Sequence, residues 1–239
     1  MAYIEINGKK SSDLGLILIN DMEHVPAVND IEPLEIKGRD GVLLVDNNRL
    51  KSVEQTFPFV VKPNNSVAET AQEISDWLNF KGFQTFRKSW EPSYIYKAVF
   101  LETFELSEIV RTFGKVNLTF MFHPIKYLED GQKERTISNG QTVVNRGNVP
   151  ANPLIKISGN GDINLTINGR TTKLKNVERS LIWNTERKLV YKGDYTSQWQ
   201  KVVASAGHYE KPYLDVGNNT VSWSGSATVS LVTNEGVKI

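Results

Sequence analysis

From Asn148 to Gly169 the chain reads NVPANPLIKISGNGDINLTING, and no other stretch constrains the fold as much. Pro150 and Pro153 fix their own φ, lack a backbone donor and hold the segment extended. Leu154-Ile155-Lys156-Ile157 then reads as a strand. Gly159-Asn160-Gly161 lies between two strands and reads as a hairpin turn. Ile163, Leu165 and Ile167 point one way, and Asp162, Asn164, Thr166 and Asn168 the other, the period of two of a half-buried strand. Asn168-Gly169 turns the chain again, since both residue types accept the positive φ of a tight hairpin. A chain that stops, restarts as strand and turns twice here marks the opening of a second β domain.

The same grammar runs through the rest. Tyr3-Ile4-Glu5-Ile6 followed by Asn7-Gly8 reads as a strand and a tight turn, and Leu14 to Ile19 as a short apolar strand. Leu34-Glu35-Ile36 leads into the loop Lys37-Gly38-Arg39-Asp40-Gly41. Ser52 to Val61 alternates, and Pro58 within it argues for an edge position or a bulge. One helix is expected. Ser66 and Glu69 fit a capping box, Val67, Ala71, Ile74 and Leu78 recur at helical spacing beside Trp77, and Lys81-Gly82 supply a stop. Its Ile74/Trp77/Leu78 stripe is expected to lie on a sheet. Strands follow at Phe83–Phe86, Tyr94–Phe100 and Val116–Phe122. After Gly169, short strands at Leu181–Trp183, Leu189–Tyr191, Thr220–Trp223 and Ala227–Val232 are spaced by turns, as in a β-sandwich. The expected organisation is mainly β: a first β domain over 1–130, a polar crossing segment over 131–149, and a second β domain over 150–239.

Charge supports the division. Residues 1–130 hold 14 Lys and Arg against 19 Asp and Glu, a net of −5; residues 131–239 hold 14 against 8, a net of +6. Neither half has the strong basic excess of a dedicated nucleic-acid binder. Cysteine is absent, which excludes disulfides, cysteine metal sites and a thiol nucleophile. No apolar run approaches the roughly 20 residues of a membrane helix. The N-terminus alternates like a strand and lacks the basic start and apolar centre of a secretion signal, so folding in the cytoplasm is expected.

The residues do not suggest catalysis. His24, His123 and His208 are scattered without metal-ligand spacing, and there is no nucleophile elbow, phosphate loop or dinucleotide motif. No cofactor is expected. A sugar-binding module is a second reading. The second half carries Trp183, Trp199, Trp223, Tyr191, Tyr195, Tyr209 and Tyr213, and Trp183-Asn184-Thr185-Glu186-Arg187 is faintly similar to half of a galectin's sugar motif. The candidate sugar contacts are Trp183, Glu186, Arg187 and Trp199. The plainer alternative makes Asn184 to Lys188 a polar hairpin tip and Trp183 core.

Taken in order, several segments resemble the distal tail proteins of long-tailed, non-contractile bacteriophages. They are Ile36–Leu44, the helix ending in Trp77-Leu78, Tyr94–Phe100, Gly114–Pro124, Gly147–Gly169 and Gly217–Trp223. Together they span nearly the whole chain. The resemblance implies an N-terminal β domain with one helix and a projecting hairpin, and a C-terminal galectin-like β-sandwich. It implies a non-enzymatic hub: a homohexameric ring at the distal end of the virion's tail, assembled in the host cytoplasm. Such a ring joins the tail-tube protein to the tail-tip protein and, in many phages, to receptor-binding proteins. DNA passes its lumen without specific binding, and no membrane contact is implied. Larger relatives insert extended arms in the second domain to hold receptor-binding proteins; here that domain is the size of a bare sandwich. The ring contacts expected from this architecture are Ile4, the Arg39/Asp40 loop, and Trp90, Tyr94 and Tyr96. The acidic first half is expected to help line the lumen, where like charge keeps DNA from adhering.

Overall fold

The computed structural model describes residues 2–19, 24–62, 66–102, 107–110, 113–203 and 211–239. The chain forms two compact units, one of residues 1–126 with 238–239, the other of residues 127–237.

The first unit contains β1 (Ile4–Ile6), β2 (Lys9–Lys10), β3 (Leu16–Leu18), β4 (Asn29–Glu35), β5 (Val42–Leu50), β6 (Val53–Val61), α1 (Val67–Leu78), β7 (Gln84–Lys88), β8 (Tyr94–Phe100), β9 (Ser107–Val110) and β10 (Phe113–Phe122). Its main sheet runs β2-β1-β7-β8-β10-β6-β3, with β9 also paired to β10. Asn7 and Gly8, with φ of 50° and 85°, make the tight turn between β1 and β2. Alternation sends Phe57, Phe59, Phe86, Tyr96, Leu118, Phe120 and Phe122 into one buried cluster. Phe86 meets Phe120 and Phe122 edge-on at 5.2 and 4.9 Å between ring centroids, a favoured aromatic geometry.

The helix adds Ile74, Trp77 and Leu78 to that cluster. The Ser66 hydroxyl caps it by accepting from the Glu69 amide at 3.2 Å. It ends at Leu78, three residues before the Lys81-Gly82 stop that the sequence suggests. Pro58 departs from its expectation. The strand carrying it, β6, pairs along its whole length with β10 without a register shift, and at one end with β3. The Pro58 carbonyl accepts from Ile19 N on the β3 side. The missing proline donor faces that same side, where the β3 pairing is finishing, so the ladder loses little.

Strand β11 (Ile125–Leu128) leads into the second unit. That unit holds β12 (Arg135–Ile137), β13 (Gln141–Asn145), β14 (Leu154–Gly159), β15 (Gly161–Ile167), β16 (Arg170–Val177), β17 (Ser180–Asn184), β18 (Leu189–Tyr191), β19 (Val202–Val203), β20 (Gly217–Ser224) and β21 (Ala227–Val232), before β22 (Gly236–Lys238) leads back. Two five-stranded antiparallel sheets, β12-β21-β14-β17-β18 and β13-β20-β15-β16-β19, share one apolar core that includes Ile155, Ile157, Trp183, Val229, Ile163, Leu165 and Val221. This is a β-sandwich.

Two expectations are corrected here. The polar segment 131–149, expected only to cross between the domains, belongs to the sandwich: its β12 pairs with β21 and its β13 with β20, both near residue 239 in sequence. Gly159-Asn160-Gly161 is not a hairpin turn. The flanking strands β14 and β15 belong to opposite sheets, so the turn is an arch that carries the chain across the sandwich. Glycine is required for the close approach, since a Cβ on Gly159 would lie 2.4 Å from the Ser226 carbonyl oxygen. Asn168-Gly169, with φ of 49° and 80°, does join paired neighbours, β15 and β16.

Candidate functional site

Among the described residues, the following places combine exposure, charge or concavity in ways a plain β core does not need. The first is the ribbon formed by β4 and β5, which hydrogen-bond to each other and form a sheet of their own. Register puts Leu34 opposite Leu43 and Glu32 opposite Val45 on one face, and Pro33 opposite Leu44 and Glu35 opposite Val42 on the other. Both faces therefore carry exposed apolar side chains, Leu34 at 52% and Leu44 at 63% being the most open of each. A two-stranded ribbon by itself is marginal in water. At its base the buried Asp30 carboxylate accepts from Arg49 Nε at 2.6 Å, with Lys51 Nζ at 3.4 Å. The Arg49 hydrogen bond, against the effect of burial, holds this carboxyl below the usual range. Arg39 and Asp40 sit exposed at the tip, between Gly38 and Gly41 in positive-φ turns.

The other residues expected at a ring contact are placed differently. Ile4 is fully buried and Tyr96 is 1% exposed, both in the core of the first unit, so neither side chain is offered outward. The alternation that made them visible in the sequence points them inward. Trp90 and Tyr94 are half-buried and pack against that core.

The second place is a polar pair of lysines inside the first unit, which the sequence reading missed. Lys88 is only 6% exposed. Its Nζ donates to Gln55 Oε1 at 2.8 Å and lies 4.4 and 5.1 Å from the ring centroids of Tyr96 and Phe122. Lys126 Nζ donates to Glu91 Oε2 at 2.6 Å, and the Tyr96 hydroxyl donates to the same oxygen at 2.5 Å. Continuing the alternation from Phe86 would have placed Lys88 inward. Burial, helped by the neighbouring charge of Lys126 and opposed by Glu91, brings the Lys88 ammonium down to about 8.

That shift makes a prediction. Below pH 8 the lysine is charged in both the folded and the unfolded state, and folding bears the whole burial cost. From pH 8 to the ordinary lysine value of about 10.4 the unfolded chain binds more protons, so stability climbs with pH. Tyr96 and Tyr127, both pushed up by burial and by Glu91 and Glu186 respectively, act in the opposite sense above about pH 10. Denaturant unfolding between pH 8 and 10 is expected to show the climb, and Lys88→Met is expected to remove it. The full window is worth up to about 3 kcal/mol. Equal slopes for the two proteins would disprove the assignment.

The third place is on the sandwich. The turn between β17 and β18 is fixed by Asn184 Oδ1, which accepts from Arg187 N at 3.0 Å. The following loop folds back along β18, where Gln198 N donates to the Val190 carbonyl. Between turn and loop lies a cavity of about 240 Å³, lined by Asn184, Arg187, Leu189, Tyr191, Tyr195 and Trp199 among others. Two of the four sequence-expected sugar contacts, Arg187 and Trp199, meet here. Trp183 does not: it is fully buried beneath, and Trp199 stands edge-on to it at 6.3 Å, so no ligand can reach the Trp183 ring. Glu186 points elsewhere and accepts from the Tyr127 hydroxyl at 3.2 Å.

His24 is exposed, His123 Nδ1 lies 3.3 Å from the Ile125 carbonyl oxygen, and His208 and Tyr209 lie outside the described residues. Among the described residues no three His, Asp or Glu side chains are grouped to hold a metal ion, and no helix is long and apolar enough to cross a membrane.

A two-unit β chain of this order, with a ribbon in the first unit and a sandwich as the second, shares its fold with solved phage hub and baseplate proteins. The particular likeness is to SPP1 Dit, described as a paradigm of the hub adsorption apparatus in phages infecting Gram-positive bacteria. That structure matches with a TM-score of 0.75 at 14% identity, over 100% of this chain and 99% of the other. A structure of the phage p2 baseplate in its activated conformation with Sr matches at 0.55 and 11% identity, over 97% of each chain. The baseplate with Ca matches at 0.50 and 9% identity, over 100% of this chain and 99% of that one. No protein-family model and no curated protein sequence matches.

Proposed function

We propose that this chain is the structural hub of a phage tail tip, located at the distal end of the virion's tail. Six copies form a ring that joins the tail-tube protein to the tail-tip protein and its adhesion components, leaving a lumen for DNA. The sandwich, galectin-like in this reading, hangs at the periphery. The role is mechanical rather than catalytic. The observation that carries the reading is the likeness to the SPP1 hub over the full length of both chains.

The β4–β5 ribbon supports the ring part of the proposal. It bears apolar side chains on both faces, so it needs two covers. A closed ring supplies two, because a head-to-tail contact uses different patches on each subunit for its two neighbours. In this arrangement Arg39 and Asp40 at the tip, with Trp90 and Tyr94, are the expected contacts of the earlier set; the buried Ile4 and Tyr96 act only by shaping the core.

The test is light scattering over a concentration series, with negative-stain imaging of the largest species. Six copies around a central hole are expected. A monomer at every concentration, persisting when the tail-tip protein is added, would overturn the proposal.

A further inference from the structure

The cavity on the sandwich has a construction that the fold does not explain. Tyr195 occupies the left-handed region, with φ of 63°. Bulky residues are rarely held there, and such strain persists only where surrounding bonds enforce it. Here they do: Tyr195 N donates to the Lys192 carbonyl, Lys192 N to the Thr196 carbonyl, and Thr196 N to Asp194 Oδ1 at 2.9 Å. Yet the ring so placed is 82% exposed and returns almost no burial to the fold. It is laid against Tyr191, with ring centroids 5.4 Å apart and planes 18° from parallel. Trp199, edge-on to the buried Trp183, also lines the cavity.

Polar groups share the lining. Arg187 is exposed and forms no ion pair among the described residues. The Asn184 side chain and Ser197 complete the lining. Flat aromatic walls favour a ligand with C–H groups on its faces. A guanidinium fork, an amide and a hydroxyl favour hydroxyl groups around its edge. The volume of about 240 Å³ is below the roughly 300 Å³ at which pockets for drug-sized molecules begin, so the occupant is a single ring.

We propose that this cavity binds one pyranose unit of a glycan, stacked on Tyr195 and Trp199 and held at its edge by Arg187. The site lies within one chain and does not depend on ring assembly, so its test is separate from that of the hub.

The experiment is saturation-transfer NMR on the full chain with methyl glycosides of glucose, galactose, N-acetylglucosamine, N-acetylgalactosamine, rhamnose and glucuronic acid, each titrated to saturation. At least one is expected to bind, with Kd on the order of 1 mM, about −4 kcal/mol. Tyr195→Ala, whose side chain is exposed, is expected to fold normally and weaken binding roughly tenfold or more, and Arg187→Ala to do the same. Lys173→Ala, on the other sheet, is expected to leave binding unchanged. No saturable binding of any glycoside would overturn the proposal, and so would binding that Tyr195→Ala leaves intact. Occupation by a side chain of another tail protein would show as the first of these results.

Discussion

A chain carrying Leu34→Asp and Leu44→Asp is expected to be monomeric where the unaltered chain forms the proposed ring, with its unfolding midpoint unmoved. Both leucines are more than half exposed in the single chain, and they lie on opposite faces of the β4–β5 ribbon. Substitutions at such open positions usually change stability by less than about 0.5 kcal/mol. In an assembled contact the same positions are covered, and a carboxylate placed there must lose its water without gaining a partner. An interface hot spot contributes about 2 kcal/mol or more, so losing two of them weakens each subunit contact by about a thousandfold. In the proposed ring each face meets a different neighbour, so either substitution alone should also open it. Light scattering reads the mass, and a thermal melt confirms the fold. Rings of unchanged mass would rule the ribbon out as the contact.

The largest loss of stability is expected from Trp183→Ala. Trp183 is fully buried in β17, opposite Ile155 on one side and Val190 on the other, and it braces Trp199. Emptying a site of that size costs about 3–5 kcal/mol, a large share of the roughly 5–15 kcal/mol that holds a domain folded. For a unit of this length the melting transition of the sandwich should fall by about 10–25 °C. A fall of less than about 3 °C would mean that the core closes over the gap. The glycan experiment gives a second reading: a folded Trp183→Ala chain at low temperature should bind sugar weakly, because Trp199 has lost its brace.

What the sequence disclosed, and what it hid, divides by the range of the interaction. The turns at Asn7-Gly8 and Asn168-Gly169, the Ser66 cap and the Ile74/Trp77/Leu78 stripe are written in neighbouring residues, and each is found in the structure. Gly159-Asn160-Gly161 has equally clear turn chemistry, but that chemistry reverses a chain without saying which sheet it joins. The destination is set by β16, β17, β20 and β21, all later in the sequence. Strands β12 and β13 were hidden for the same reason, being short, polar and paired with residues more than 70 positions away. Among the candidate contacts, Trp183 follows the apolar Leu181-Ile182 of a strand, whereas Trp199 is flanked by Gln198 and Gln200. Packing then makes the first a buried brace and the second a cavity wall. The cavity's Tyr191 and Tyr195 were visible as aromatics, but not as a stacked pair.

The return of the chain to its first unit has a consequence for biogenesis. Ile239 packs against the first unit's core, accepts from Ala27 N at 2.8 Å and donates to the Pro124 carbonyl at 3.0 Å. These closing contacts come after the entire sandwich in order of synthesis. The sandwich has its whole length, 127–237, before the first unit can be finished. A ribosome that stops anywhere within residues 127–237 therefore releases a product whose first unit is open at Ala27 and Pro124. Synthesis through residue 239 is therefore a condition for closing the first unit at Ala27 and Pro124.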